Sequence, residues 1–306
     1  MDLKTVKDIL ILSRGFASIA FVWYLIGAFF ALLIGATFDA WKLLLGYCIV
    51  LPGVLVGSLT NSYYDVAVDR QSNATPISGG TKVLSVRPEL MKTIRSLIVF
   101  LFSFSVVLGL VFTIVFSYPM TFFAFIVIAD FFAWAYTAPP LRLVYRGFGE
   151  LWTMVMGGFV MGGFGYFIIK GTIDFTFLLF SVPIMLMMFA FAFYVEIPDR
   201  DADLQGRKKT MVVRRDERFG FIIGSLALAG ATVCFFLFYL LHVLPASESF
   251  LIVGLYSIIP VAFAVYGLRK YLADATTMRS SVFRSSLSIL SVIIFIDAYF
   301  IYAIIT

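Results

Sequence analysis

Residues 175–195 read FTFLLFSVPIMLMMFAFAFYV and run without a break into Glu196-Ile-Pro-Asp199-Arg-Asp201-Ala-Asp203. An apolar stretch of about 20 residues is what a helix needs to cross a bilayer. Here a polar array follows directly at its end. The same order recurs nearer the amino terminus, where apolar residues 42–60 lead into Asn61-Ser-Tyr-Tyr-Asp65-Val-Ala-Val-Asp69. Each array holds two aspartates four residues apart, Asp65/Asp69 and Asp199/Asp203. On a helix this spacing sets both carboxylates on one face, one turn apart, where they repel unless a cation lies between them. Asn61 adds a neutral oxygen one turn before Asp65. Hard oxygen donors flanked by Lys and Arg, at the mouth of an apolar protein, suit Mg2+ holding a polyphosphate.

Composition places these arrays in a membrane protein. The chain is 61% hydrophobic and 13% charged, whereas a soluble domain is nearer 25% charged. The apolar runs predict an all-α integral membrane protein with nine transmembrane helices around a central cavity. The spans fall at 15–36, 42–60, 96–117, 120–138, 151–169, 175–195, 219–243, 250–268 and 286–305. Of the 23 Lys and Arg, all but Lys42 and Lys170 then lie in loops 1–14, 61–95, 139–150, 196–218 and 269–284. The positive-inside rule therefore places the amino terminus and both arrays in the cytoplasm, at the cell membrane, and the carboxyl terminus outside. This bias accounts for the net charge of +5 without nucleic acid. No cleavable leader is expected, because the first span is too long and lacks a small-residue cleavage site. Residues 1–14 read as a short interfacial helix.

Positions 1–306 read as one membrane domain with an approximate repeat, 15–138 and 151–268, each half carrying an acidic array after its second span. Gly158-x-x-x-Gly162 predicts close helix packing. Cys48 and Cys234 fall inside spans as small packing residues, with no disulfide or zinc spacing. His242 lies at the outer end of a span, away from the arrays. Asp130 and Asp297 are intramembrane carboxylates, which face an interior rather than lipid. Asp130 comes about two turns before Tyr136 and is placed to reach the same cavity, whereas Asp297 reads as a structural polar contact.

Basic residues complement the acids. Lys82 follows Ser78-Gly79-Gly80-Thr81, where a glycine pair lets backbone N–H groups approach an anion. Arg207, Lys208 and Lys209 follow the second array. Arg142 and Arg146 follow Tyr136 within Tyr136-Thr-Ala-Pro139-Pro140-Leu-Arg142-Leu-Val-Tyr145-Arg146-Gly147. Pro198 inside the second array predicts a kink or a new helix start. The roles of Glu196 and Asp201 stay open.

The pairing of Asn-x-x-x-Asp-x-x-x-Asp with a second Asp-x-x-x-Asp, on a nine-span layout, resembles the UbiA superfamily of intramembrane prenyltransferases. Asn61-Ser-Tyr-Tyr-Asp65, Ser78-Gly-Gly-Thr-Lys82-Val-Leu and Tyr145-Arg-Gly-Phe-Gly-Glu150 are most similar to the branch that prenylates naphthoquinone precursors for menaquinone. The resemblance implies two Mg2+ sites, one at Asn61, Asp65 and Asp69 and one at Asp199 and Asp203. It implies an isoprenyl diphosphate, geranylgeranyl or longer, held by Lys82, Arg142, Arg146, Lys208 and Lys209. It also implies a catalytic role for Tyr136 together with the four aspartates. Where the family often has a lysine four residues after that tyrosine, this chain has Pro140, and its second array begins with Glu196 where many members have Asp or Asn.

The expected reaction is transfer of a polyisoprenyl group within the membrane to an aromatic quinone precursor, its cation shielded by π faces such as Tyr63, Tyr64, Tyr136 and Tyr194. Two acceptors outside this class remain open, a glycerol-phosphate lipid of ether-lipid synthesis and a tetrapyrrole. An ion-coupled transporter would carry its charges near the bilayer midplane. Here the matched acids lie at helix ends on one side, which argues against that reading.

Overall fold

A computed structural model describes residues 3–13, 16–71 and 80–306, and these are helical with no strand. The amino-terminal half comprises α1 (Leu3–Leu12), α2 (Phe16–Leu33), α3 (Ala40–Tyr64), α4 (Val66–Gln71), α5 (Val83–Val86), α6 (Met91–Val115) and α7 (Met120–Ala135). The rest comprises α8 (Leu143–Arg146), α9 (Gly149–Val155), α10 (Met161–Lys170), α11 (Phe175–Glu196), α12 (Arg200–Gln205), α13 (Met211–Arg214), α14 (Glu217–Leu240), α15 (Glu248–Ala273) and α16 (Met278–Ile305).

Seven helices are long and apolar enough to cross a membrane: Ala40–Tyr64, Pro88–Val115, Gly149–Lys170, Phe175–Gln205, Glu217–Leu240, Glu248–Ala273 and Ala275–Ile305. The chain is a multi-pass membrane protein. The other two expected spans correspond to shorter apolar helices, Ile19–Leu33 and Met120–Ala135. At 1.5 Å per residue, the 16 residues of α7 extend about 24 Å, short of the ~30 Å hydrocarbon core. The outward face of α6 exposes Phe100, Val107, Val111 and Ile114, an apolar surface suited to lipid rather than water.

Glycines bring the inner helices together. A methyl group at Gly27 would fall 1.8 Å from the carbonyl oxygen of Gly162, and one at Gly165 would fall 1.9 Å from that of Tyr24. Helices α2 and α10 therefore meet backbone to backbone, as the small-residue pattern predicted. A methyl at Gly158 would lie 2.4 Å from the Met185 Cα, so this glycine does the same against α11. Between α9 and α10 a π-helical turn, Met156–Val160, widens the helix.

On the polar side, α1 is tied down by an ion pair between Asp8 and Arg87 and by the Ser58 hydroxyl, which donates to the Leu12 carbonyl at 3.0 Å. Both acidic arrays fall where long helices break. Helix α3 ends at Tyr64 and α4 starts at Val66, with Asp65 between them at φ −98°, ψ 13°. The backbone bonds Asp65 N–H to Asn61 C=O (2.9 Å) and Asp69 N–H to Asp65 C=O (2.8 Å) carry the helical path through that break. In the second array Pro198 sits in a 3-10 turn, Ile197–Asp199, that ends α11 and launches α12. Within each array the two aspartates keep to the cavity side, as their spacing predicted, and the break in the long helix falls at the first of the two.

Candidate functional site

A cavity of about 320 Å3 opens among α2, α3, α7, α9 and α11. Its polar end is lined by Asn61, Asp65, Asp69, Asp199, Asp203 and Lys208. Both arrays, 134 residues apart by their first aspartates, therefore meet at one place. The Lys208 ammonium joins them, 2.9 Å from Asp65 Oδ2 and 3.1 Å from Asp203 Oδ1. Asp65 and Asp203 are 1% and 6% exposed. Two buried carboxylates and one ammonium leave a net negative charge, so the cluster favours a further cation. Burial alone would lower the Lys208 pKa, but Asp203 and Asp65 outweigh it and hold the ammonium well above the usual lysine value.

Tyr145, on α8, donates its hydroxyl to Asp65 Oδ1 at 2.5 Å. Burial and the Asp65 charge push this phenol upward, so it stays protonated as a donor. The Arg142 guanidinium lies 3.9 Å above the Tyr145 ring. Asp69 is 4% exposed and packs on Gly80, where a methyl group would fall 1.5 Å from Asp69 Oδ1. Tyr136 follows α7 directly, lines the cavity and packs its ring on Trp152 at 4.3 Å. Glu196 is buried at the wall. Beside it Glu150, fully buried, accepts a hydrogen bond from the Met211 N–H. Asp130 lines the cavity as well.

Other expected site residues lie elsewhere. Lys82 is exposed at the start of α5 and is absent from the cavity wall, and Ser78 and Gly79 of its motif lie outside the described residues. Arg146 is exposed and donates to the Pro140 carbonyl at 2.8 Å. Lys209 is exposed too, and Arg142 stacks on Tyr145 rather than lining the cavity. Among the described residues of the wall, Lys208 is the one basic side chain. Of the four tyrosines expected to shield a cation, only Tyr136 lines the cavity; Tyr64 faces outward and Tyr194 is buried beside Ser225. Asp297 is buried in α16 away from the cavity, and Asp201 is exposed beside Arg200. His242 bonds Ser247 at the surface.

The sequence reading missed the contributions of Tyr145 and Glu150. Both were visible as residues, but no spacing signal ties Tyr145 to Asp65 across 80 positions.

Among the described residues, no three His, Cys, Asp or Glu side chains converge as a ready metal cage. The oxygen set nonetheless fits Mg2+. Asn61 Oδ1 is buried at the wall without a hydrogen-bond partner, and four aspartates surround the same space. Magnesium characteristically takes one or two carboxylates and completes its shell with phosphate oxygens and water.

Comparison with known proteins identifies the family and the fold. The profile of the UbiA prenyltransferase family matches residues 20–288. No curated protein sequence matches the chain. An apo UbiA homolog from Aeropyrum pernix K1 superposes with a TM-score of 0.69 at 18% identity, over 92% of this chain and 97% of that one. A UbiA homolog from Archaeoglobus fulgidus, bound to GPP and Mg2+, gives 0.65 at 13% identity over 98% and 100%. A structure described for digeranylgeranylglyceryl phosphate synthase gives 0.63 at 17% identity over 99% and 100%. At these identities the likeness concerns the fold.

Proposed function

Because the chain belongs to the UbiA prenyltransferase family and is a prenyltransferase, we propose that it moves a polyisoprenyl group from an allylic diphosphate to an aromatic quinone precursor, with Mg2+. The observation that carries this reading is the Asp65–Lys208–Asp203 bridge at the polar end of a largely apolar cavity. It joins metal-ligand chemistry and a fixed cation where a diphosphate can sit, with room for a greasy tail below.

In this reading Asn61, Asp65 and Asp69 hold one Mg2+, and Asp199 and Asp203 hold the other. When bound, Mg2+ neutralises charge on the diphosphate and so eases departure of the leaving group. Lys208 supplies a point charge to the same oxygens. Tyr145 fixes the Asp65 carboxylate. Allylic C–O ionisation leaves a cation that water must not reach. Tyr136, backed by Trp152, offers it a π face, and Met156, Met161, Phe164 and Met188 wall off solvent. Lys82, Arg142, Arg146 and Lys209 belong to the wider diphosphate set by resemblance, and they would serve as an entry rim rather than as cavity contacts.

The aromatic acceptor is favoured over a glycerol-phosphate lipid by one placement. A phosphate-bearing acceptor calls for further bases near Tyr136, and Arg142 and Arg146 stand off the wall. The remaining parts of the reading follow the charge pattern. The bundle has nine spans in an approximate repeat, 15–138 and 151–268, within one domain. Its amino terminus and active end face the cytoplasm at the cell membrane, and its carboxyl terminus lies outside. The test is a transfer assay with purified protein, labelled geranylgeranyl diphosphate and three acceptors: a dihydroxynaphthoate, a hydroxybenzoate and a prenylglyceryl phosphate. Product on an aromatic acceptor, lost with EDTA, supports the proposal. Product only on the phosphate lipid replaces the acceptor class.

A further inference from the structure

Asp130 has no part in the chemistry above, yet it lines the same cavity and is only 3% exposed. It lies six residues before Tyr136 on α7, hence about 9 Å deeper along the helix axis. A carboxyl at such depth is costly and needs partners. Its surroundings supply only part of them. Ser105 lies beside the Asp130 carboxyl, but its single hydroxyl proton goes to the Ile49 carbonyl at 3.0 Å. Asp130 Oδ2 has no partner.

The adjacent backbone makes room for this group. A methyl group at Gly53 would fall 2.2 Å from Asp130 Oδ1. Gly57 lies one turn further along α3, with Ala133 opposite it. One side of the cavity is therefore built from Gly53, Gly57, Ala129 and Ala133 around a single carboxyl. The other side is built from Met156, Met161, Phe164 and Met188. An isoprenoid gains nothing from a carboxyl oxygen and packs well on methionine and phenylalanine. A flat, hydroxylated molecule fits the small-residue wall.

We propose that Asp130 is an acceptor-recognition residue: its carboxyl, through the oxygen beside Gly53, accepts a hydrogen bond from a hydroxyl group of the prenyl acceptor. This rests on the prenyl-transfer reading of the cavity and adds the subsite that separates acceptor from prenyl chain. The shared ligand chemistry is a hydroxyl, which a phenolic ring or a glycerol-phosphate lipid can provide.

The experiment measures equilibrium binding to the full-length protein in detergent, without diphosphate. The probes are a dihydroxynaphthoate, its O-methylated analogue, an alkylglyceryl phosphate and its O-methylated form. The variants are Asp130→Leu, Asp130→Asn and Gly53→Ala. The wild type is expected to prefer a hydroxylated probe over its methyl ether by about tenfold or more, because a site built around a hydroxyl rejects the analogue lacking it. Which pair shows the preference identifies the source of the hydroxyl. Asp130→Leu is expected to bind both members of that pair within about twofold, and Asp130→Asn, which keeps an acceptor oxygen, to retain the preference. Gly53→Ala keeps the carboxyl but crowds it, and is expected to lose the preference even if Asp130→Leu does not fold. In turnover assays the KM for geranylgeranyl diphosphate should stay within about twofold in folded variants. An undiminished hydroxyl preference in Asp130→Leu or Gly53→Ala overturns the inference, as does a change confined to the diphosphate KM. Absence of prenyl transfer by the wild type, alongside an Asp130-dependent hydroxyl preference, would overturn the transfer reading and leave this subsite supported.

Discussion

The Tyr145 hydroxyl donates to Asp65 Oδ1 at 2.5 Å, across 80 residues of chain. Asp65 also faces Lys208 through its other oxygen, at 2.9 Å. One carboxylate is thus oriented from both sides, by a phenol of α8 and by an ammonium that follows α12. A hydrogen bond to a charged group contributes roughly 1.5–3 kcal/mol. Tyr145→Phe is expected to lower kcat/KM by about tenfold or more while the protein still folds. The phenol is held upward by burial and by Asp65, so it remains protonated through neutral and mildly alkaline pH. The deficit should therefore be the same at every pH from about 6 to 9. A pH–rate comparison of the two proteins measures this.

Removing Lys208 leaves Asp65 and Asp203 buried without their shared cation. Breaking a buried pair in this way costs about 3–5 kcal/mol. Lys208→Met should therefore lower the thermal midpoint in detergent, and adding Asp203→Asn should restore part of it. Equal midpoints for wild type and Lys208→Met would contradict the bridge. Because the folded lysine is held above its usual pKa, its stabilisation is full below the unfolded value of about 10.4 and is lost only as pH rises through the folded one. Stability should not fall between pH 7 and 9 on its account.

Asp65→Ala and Asp199→Ala should each abolish transfer while leaving a folded protein by size exclusion. The two substitutions act on different arrays that line one cavity. Retained Mg2+-dependent turnover in either variant would refute the two-metal assignment.

Gly27→Ala tests the frame instead of the chemistry. The new methyl would fall 1.8 Å from the Gly162 carbonyl oxygen, a backbone atom that cannot swing aside. Helices α2 and α10 must separate, and overpacking of this kind costs about 1–3 kcal/mol or more. A fall in the detergent melting temperature is expected. Gly35→Ala serves as a contrast, because no atom lies within 4 Å of that position although its φ is +91°; any loss there reflects backbone strain alone.

The sequence alone determined the membrane class, the apolar runs and the two acidic arrays at their ends. These are local properties: hydropathy over about 20 residues and a four-residue aspartate spacing both persist whatever the chain packs against. It also marked Gly158 and Gly162 as close-packing positions. Tertiary structure decided which charges share a cavity. Lys208, Lys209 and Arg207 are neighbours in sequence and equivalent by composition, yet only Lys208 turns inward to bridge Asp65 and Asp203. Lys82 and Arg146 stayed at the surface for the same reason, because a side chain's direction depends on where its short helix docks. Tyr145 entered the site because α8 brings it to Asp65, and Asp130 fits against α3 because Gly53 lacks a side chain where the carboxyl needs space. Those outcomes depend on contacts between distant segments, and no local spacing encodes them.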